Sequence, residues 1–339
     1  MKLLVTGGAG FIGANFVHQT LAKHPDWKVV VLDKLTYAGN LKNLEPGLSE
    51  GRCSFVQMDI CDPAVIEQVR GCDVVIHFAA ESHVDRSIED ASAFVRTNVD
   101  GTHNMLQACR AAGVPRFVHV STDEVYGSLG EQGLFSEDSP LQPNSPYAAT
   151  KASSDLLVLA YVRTHKFPGI VTRCSNNYGP FQFPEKFIPL MIAQTMAGER
   201  LPVYGTGSNV RDWVHVSDHC SALDTVLQKG REGEVYNIGG GCEMRNIEVA
   251  KLILKSLGKS EDLIQFVTDR KGHDLRYAID CEKLERELGW SAQVQFAQGL
   301  ADTITWYRDN QQWLDDVRSG QYRDYFQKHY TQREKTFAQ

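Results

Sequence analysis

The sequence predicts an α/β protein: a Rossmann-type, doubly wound parallel sheet followed by a smaller, mixed α/β C-terminal domain. Short apolar runs alternate with helix-like segments over roughly the first 180 residues, which is the pattern of a parallel sheet built from βαβ units. A glycine-rich turn separates the first apolar run from the first helix. The length of 339 residues exceeds what one core usually serves, so two lobes are expected.

Composition excludes several classes of function. The net charge of −7 argues against a nucleic-acid partner, and no apolar run is long enough for a membrane span. The N-terminus enters the first strand directly and has no pattern of a cleavable signal, so a cytoplasmic protein is expected. The eight cysteines contain no Cys-x-x-Cys and are predicted to be reduced. His215 and His219 have helical spacing without a glutamate after the first, so no metal is expected there.

The first strand is predicted at residues 2–6, and the helix after it extends to about Lys23. Between them Gly7, Gly10 and Gly13 are spaced as G-x-x-G-x-x-G. Glycines at this spacing let the backbone approach a pyrophosphate, which lies at the helix N-terminus. The turn therefore predicts a dinucleotide site.

Two further strand ends fit the same site. Asp33 ends the predicted strand 28–33, twenty residues after Gly13. A carboxylate there accepts hydrogen bonds from the ribose hydroxyls and favours NAD over NADP, although the neighbouring Lys34 weakens the distinction. Asp59 and Ile60 end the third strand, predicted at 54–60, where they can frame an adenine.

The fourth strand is predicted at 73–80 and leads into a polar loop at 81–87. His83 in this loop is either a substrate contact or a packing residue, and the spacing favours neither. A helix at 91–112 contains Thr97 and follows the loop.

The densest chemistry follows the apolar run 116–120, which reads as a buried fifth strand. Thr122, Asp123 and Glu124 come directly after it, at the sheet edge where ligands bind. Tyr147 and Lys151 are four residues apart, so one helix presents them on one face. An ammonium near a phenol is expected to lower the pKa of the phenol. The sequence thus predicts a base, a cation that tunes it, a hydroxyl and a carboxyl pair.

The helix that begins at Tyr147 is apolar almost all round, so it must be covered on more than one side. We expect it to pack with the helix at 91–112 into a four-helix bundle between two subunits, which predicts a homodimer.

After the sixth strand, at 169–174, strands and helices no longer alternate regularly. The predicted nucleotide-binding domain spans 1–177 with roughly 210–239, and the second domain spans 178–209 and 240–339. Helices are expected at about 246–257, 281–288 and 296–316 in the second domain. Its cations Lys186, Arg211 and Arg270 suit a diphosphate as a set, although each taken alone fits a surface charge.

These motifs together carry a family resemblance that covers nearly the whole chain. The glycine turn with Tyr147-x-x-x-Lys151 resembles the extended short-chain dehydrogenase/reductase family. Residues 176–180 (NNYGP) and 211–216 (RDWVHV) are similar to its sugar-nucleotide members. Residues 121–127 (STDEVYG) with 80–87 (AESHVDRS) resemble its nucleotide-sugar 4,6-dehydratases. Related epimerases generally lack the adjacent Asp-Glu pair.

The resemblance implies an NAD-dependent lyase that oxidises C4 of a nucleotide-bound glucose, removes water across C5 and C6, and returns the hydride to C6. Its implied catalytic residues are Thr122, Asp123, Glu124, Tyr147 and Lys151. The implied NAD site comprises Gly7, Gly10, Phe11, Ile12, Gly13, Asp33, Lys34, Leu35, Thr36, Asp59, Ile60, Ala79, Ala80, Glu81, Ser82, Thr97, Tyr147, Lys151 and Asn177. The implied substrate site comprises His83, Thr122, Asn176, Lys186, Phe187, Ile188, Pro189, Leu190, Met191, Pro202, Val203, Tyr204, Arg211, Asn246, Asp269, Arg270 and His273.

Other functions remain open at this stage. A UDP-sugar 4-epimerase or a decarboxylase shares the fold but needs no acid at Asp123, and a UDP-glucose 4,6-dehydratase differs only in its nucleotide. A non-enzymatic NAD-sensing or RNA-binding relative would be expected to lose Tyr147 or Lys151, and both are present.

Overall fold

The computed structural model describes residues 1–45 and 47–318, so the end of the predicted second domain, 319–339, lies outside the described residues. The strands are β1 (Lys2–Thr6), β2 (Lys28–Asp33), β3 (Cys53–Gln57), β4 (Val74–His77), β5 (Phe117–Thr122), β6 (Gly169–Cys174), β7 (Asn176–Tyr178), β8 (Leu201–Tyr204), β9 (Val210–His215), β10 (Val235–Ile238), β11 (Glu243–Arg245) and β12 (Ile264–Val267). The α-helices are α1 (Phe11–Lys23), α2 (Val65–Val69), α3 (Val84–Glu89), α4 (Ser92–Phe94), α5 (Thr102–Ala112), α6 (Pro146–His165), α7 (Phe187–Ala197), α8 (Val216–Lys229), α9 (Asn246–Ser256), α10 (Glu282–Leu288), α11 (Phe296–Asp309) and α12 (Gln311–Arg318).

Seven parallel strands form the main sheet in the order β10-β6-β5-β4-β1-β2-β3. The order reverses at β1, which lies between β4 and β2, and an open α/β sheet binds its ligands beside such a reversal at the strands' carboxyl ends. The predicted Rossmann-type, doubly wound parallel sheet is confirmed. β5 and β6 are buried along their whole length, which is why they appear in the sequence as continuous apolar runs.

A second hydrophobic core lies under two small sheets. One is mixed, in the order β11-β9-β7, and the other pairs β12 with β8. Ile188, Trp213, Ile253 and Leu300 are buried together in this core. The smaller, mixed α/β domain that the sequence predicted is therefore confirmed.

The chain returns to the first core after it has entered the second. Leu223 of α8 and Leu284 of α10 are buried with Phe16 of α1, and β10 joins the edge of the main sheet beside β6. β9, by contrast, lies in the mixed sheet and buries Trp213 in the second core. Among the described residues, no helix is both long and apolar enough to cross a membrane.

Several predicted elements differ in their bounds; β4, for example, ends at His77 rather than at residue 80. The helix at 91–112 is interrupted by a π-helical segment, Val95–Gly101, between α4 and α5. β3 ends at Gln57 rather than at residue 60, because the Asp59 carboxylate accepts a hydrogen bond from the Cys61 amide and turns the chain. The last predicted helix, 296–316, is broken at Asn310 into α11 and α12.

Candidate active site

The turn between β1 and α1 requires glycine at two positions. Gly7 has a φ of +71°, and a Cβ atom there would lie 2.6 Å from the amide nitrogen of Ala79. A Cβ atom on Gly13 would lie 2.4 Å from the Gly7 carbonyl oxygen. The turn therefore packs tightly against β4 and leaves the N-terminus of α1 open to a cavity of about 300 Å³. Backbone N–H groups at such a terminus form a site for an anion.

Asp33 borders the same cavity at the end of β2. Its carboxylate accepts hydrogen bonds from the amides of Ala9, at 3.0 Å, and Leu35, at 2.8 Å, and so holds the glycine turn against the next loop. Burial raises the pKa of Asp33, and these amides oppose the rise. Lys34 pairs with Asp59 at 2.7 Å, which places both predicted residues on the rim.

A short 3-10 helix, Asp123–Tyr126, carries the carboxyl pair directly beyond β5. The hydroxyl of Thr122 caps this helix by accepting from the Glu124 amide at 3.3 Å, and it donates to Asp123 at 3.3 Å. Asp123 is 1% exposed, and its Oδ2 has no hydrogen-bond partner within the described chain. Burial, followed by the charge of Glu124, raises the pKa of Asp123 well above its ordinary value.

The two carboxyl groups have different surroundings. Burial also raises the pKa of Glu124, but the cations Arg270, Lys186 and Arg211 oppose that rise. The charges of Glu124 and of a further carboxylate, Asp212, both raise the pKa of Asp123. Carboxyls whose pKa values are pushed apart in this way can hold one proton on one member while the other stays ionised.

Tyr147 and Lys151 lie in the first two turns of α6, and both are buried. The expectation that Lys151 lowers the pKa of Tyr147 is not met in the protein alone. Burial, followed by the charge of Glu124, raises the pKa of the phenol well above 10. Burial likewise lowers the pKa of Lys151 to about 8. A cationic group bound beside the phenol would favour the phenolate and reverse this balance.

A buried polar chain joins α6 to the short helix of the carboxyl pair. Asp155 of α6 accepts a hydrogen bond from Arg173 of β6 at 2.8 Å. Arg173 donates to the Tyr126 hydroxyl at 2.9 Å, and that hydroxyl donates to Asn237 of β10 at 2.8 Å. The elements that carry Tyr147 and Glu124 are thereby held in one arrangement.

A second cavity, of about 140 Å³, continues from the first into the C-terminal lobe. The predicted cations Lys186, Arg211 and Arg270 all line it. Lys186 donates to the carbonyl of Ser82 at 2.6 Å, and the Arg211 guanidinium lies 4.4 Å from the centre of the Tyr277 ring. Arg211 is buried and the other two are partly buried, so three converging cations form a wall that strongly attracts anions.

Nearly all of the predicted NAD residues line the first cavity, including Thr97 and Asn177. Leu35 does not: it has a φ of 57° and packs beside the first hydrophobic core. Thr122 and Asp123 line the first cavity, and Glu124 beside them lines both cavities.

Four predicted substrate residues are absent from the described lining, and periodicity explains three of them. Phe187, Leu190 and Met191 share the cavity face of α7, whereas Ile188 and Pro189 lie on other faces. Val203 alternates with Pro202 and Tyr204 along β8 and points into the second core. Asp269 instead accepts a hydrogen bond from His273 at 2.5 Å and so orients a side chain that does line the cavity.

The sequence reasoning missed several lining residues. Trp213 carried a usable signal, because it stands two residues after Arg211 and therefore faces the same side of β9. Asp85 lies within the predicted polar loop 81–87, whereas no local sequence pattern marks Glu185 or Tyr277 as a lining residue. His215 and His219 serve separate purposes: the first caps α8, and the second contacts the Asn177 side chain at 2.8 Å.

The parallel sheet, the glycine turn and the Tyr-x-x-x-Lys helix define an extended short-chain dehydrogenase/reductase. The model of one family within this class, described as GDP-mannose 4,6 dehydratase, matches residues 4–303. The chain belongs to that family.

Relatives of high similarity carry one activity in their names. The chain is 53% identical to a dTDP-glucose 4,6-dehydratase of Streptomyces niveus over 94% of this chain and 96% of the relative. It is 53% identical to the dTDP-glucose 4,6-dehydratase of a Xanthomonas campestris strain, over 94% of this chain and 97% of the relative. A solved dTDP-glucose 4,6-dehydratase from Streptomyces venezuelae, with NAD bound, has a TM-score of 0.92 and 55% identity, over 94% of this chain and 100% of that one. The resemblance inferred from the motifs is confirmed.

Proposed function

We propose that the protein is a dTDP-glucose 4,6-dehydratase, which converts dTDP-glucose to dTDP-4-keto-6-deoxyglucose and water. The observation that carries the proposal is the pair formed by the buried Asp123 and the partly buried Glu124, which line the first cavity together with Tyr147. The names of the similar proteins, which match over almost their full length, support the same activity.

The first cavity suits NAD. A Cβ atom on either Gly7 or Gly13 would collide with backbone, so the turn keeps room for a pyrophosphate at the start of α1. Asp33 would accept hydrogen bonds from the ribose hydroxyls, and Asp59 and Ile60, which line the same cavity, would hold the adenine. NAD, when bound, takes up hydride from C4 of the sugar and returns it to C6.

The protein's own groups move the protons. Tyr147 takes the proton of the C4 hydroxyl, and Lys151 stabilises the resulting charge. The ketone at C4 acidifies C5, from which Glu124 removes the proton and to which a proton returns when hydride is added at C6. Asp123, held protonated by its burial, donates to the departing C6 oxygen, which leaves as water. Well-placed groups of this kind contribute about 10²–10⁴-fold each.

The second cavity suits the nucleotide diphosphate. Lys186, Arg211 and Arg270 bind the two phosphates, while Asn246 and Arg270 each present a buried polar atom, Oδ1 and Nε, that has no partner within the described chain. We assign NAD to the lobe built from 1–177 and roughly 216–239, and the nucleotide sugar to the second lobe, in which we include β9 with its Arg211.

The activity test compares dTDP-glucose with UDP-glucose in the absence of added cofactor. A dehydratase gives a product lighter by one water, whereas a 4-epimerase leaves the mass unchanged. Turnover of dTDP-glucose with loss of water supports the proposal. Unchanged mass, or a requirement for stoichiometric NADPH, contradicts it.

We also propose a cytoplasmic homodimer. All eight cysteines are free, as suits a reducing compartment. Val95 and Leu156, on the two helices expected to form a four-helix bundle, are 47% and 57% exposed in the single chain. Apolar side chains exposed on adjoining helices suit a second subunit.

A further inference from the structure

Three segments that flank the first cavity meet around one ion pair, Arg86–Glu185. Thr36 and Ala38, on either side of Tyr37, line the cavity from the loop after β2. Phe183 and Glu185 line it from the loop before α7. Arg86, from the first turn of α3, lies between these loops.

The contacts among these segments are polar and specific. Arg86 donates from Nε and Nη2 to Glu185 Oε2, at 3.2 and 3.1 Å. Its guanidinium also lies 3.9 Å from the centre of the Tyr37 ring, so Arg86 links Tyr37 to Glu185. The Tyr37 ring also meets the Phe183 ring edge-on, with centroids 5.6 Å apart. The loop after β2 and the loop before α7 are therefore joined through Arg86 and through the two rings.

Stability alone does not account for this cluster. Glu185 is only 5% exposed, and a buried ion pair costs so much desolvation that apolar residues often replace it without loss. Its geometric effect is more specific, since separating Tyr37 from Arg86 and Phe183 would release the 34–40 loop from the 181–186 loop. None of the proton transfers assigned above uses Tyr37, Arg86 or Glu185.

We propose that Tyr37, Arg86 and Glu185 form a clasp that retains NAD by holding these two loops together over its cavity. This inference rests on the proposed function. In that reaction the hydride taken from C4 returns to C6 within one turnover, so slow exchange of the cofactor does not limit the rate. A clasp that opens slowly is compatible with this chemistry, whereas a dehydrogenase that releases its cofactor each cycle needs an open path.

The test measures exchange of bound NAD directly. Purified protein that has been freed of unbound nucleotide is mixed with deuterium-labelled NAD, and the labelled fraction of bound cofactor is followed by mass spectrometry. In Arg86→Met/Glu185→Gln both charges are removed, so no unpaired charge stays buried. We expect exchange about tenfold faster, a factor equivalent to ~1.4 kcal/mol. Tyr37→Leu, which removes the ring that contacts Arg86 and Phe183, should also exchange faster.

The matched control removes another ion pair. Arg276 contacts Glu243 at 2.5 and 2.8 Å outside both described cavity linings, and Arg276→Met/Glu243→Gln should exchange NAD at the parent rate. Clasp variants that fold and exchange no faster than the parent overturn the clasp alone, as does an equal rise in the control. A parent that binds no NAD overturns the proposed function as well. If the double variant does not fold, Tyr37→Leu decides the question by the same measurement.

Discussion

The ammonium of Lys151 donates a hydrogen bond to the carbonyl oxygen of Val120 at 2.8 Å. This contact ties α6, which carries Tyr147, to β5, which ends in Thr122 immediately before the carboxyl pair. Lys151 therefore has two effects in the proposed mechanism: it supplies positive charge near the phenol, and it fixes the distance between the groups that act at C4 and at C5.

The charge of Lys151 predicts a pH dependence. Because its pKa is lowered to about 8, the ammonium is present below that pH and is lost as the pH rises through it. The rate of oxidation at C4 should therefore decline above about pH 8. It is measured as the absorbance of the reduced cofactor in a single turnover. Lys151→Met should be slower by about 10²-fold and lack this decline. A decline that persists in Lys151→Met would assign the titration to another group.

Substitutions of the two carboxyl residues, Asp123 and Glu124, should affect different steps of the reaction. Glu124→Gln should abolish exchange of the C5 hydrogen with deuterated solvent, because no base remains there, while C4 oxidation continues. Asp123→Asn should keep C5 exchange but lose water more slowly by about 10²-fold, because the C6 oxygen lacks its acid. Mass spectrometry of quenched reactions measures both, and each variant serves as the control for the other. Loss of water at the parent rate in Asp123→Asn would refute the role of that residue.

Deuterium placed at C4 of dTDP-glucose should reappear at C6 of the same product molecule, because one bound cofactor receives and returns it. Mass spectrometry of the product formed in ordinary water measures the transfer. Tyr147→Phe should form little product at all, since the first oxidation lacks its base. Exchange of the label between labelled and unlabelled substrate molecules would contradict retention of the cofactor through the cycle.

The dimer can be tested on the exposed apolar side chains. Val95→Lys/Leu156→Lys should reduce the mass measured by light scattering at micromolar concentration from a dimer to a monomer, because two charges per chain would be buried at the contact. Phe266→Lys is the control, since Phe266 is also 57% exposed but lies on β12 in the other lobe. A parent chain that is monomeric and fully active would exclude the proposed bundle.

The buried ion pair between Asp155 and Arg173 should matter for stability. Burial alone would raise the pKa of Asp155, but His119 and Arg173 together hold it below its ordinary value. Asp155→Asn leaves Arg173 unpaired and should lower the free energy of unfolding by about 3–5 kcal/mol in urea titrations near neutral pH.

The sign of that pKa shift also predicts how the difference varies with pH. The stability from Asp155 is present above the pKa of the unfolded state and is lost as the pH falls, so parent and variant should converge in acid. Glu67→Gln breaks an exposed pair with Arg70 and should change the free energy of unfolding by less than ~1 kcal/mol. A difference between parent and Asp155→Asn that grows in acid would contradict the assignment.

Local patterns in the sequence determined the fold class and most of the first cavity. The spacing of Gly7, Gly10 and Gly13, the carboxylate at Asp33 and the helical spacing of Tyr147 and Lys151 are each local. A strand end or a helix turn therefore positions each of these residues with little help from the rest of the chain. The carboxyl pair belongs with them, because Asp123 follows a strand whose apolar run is readable from the chain alone.

Tertiary packing decided what the groups around those motifs do. Burial raised the pKa of Tyr147, against the expectation drawn from Lys151, because desolvation depends on every element that covers a side chain. Glu185 and Tyr277 reach the site from distant segments with no local pattern to mark them. The cluster of Tyr37, Arg86 and Glu185 likewise has no local pattern. Its residues are as many as 148 positions apart, so their contacts depend on how the two lobes pack.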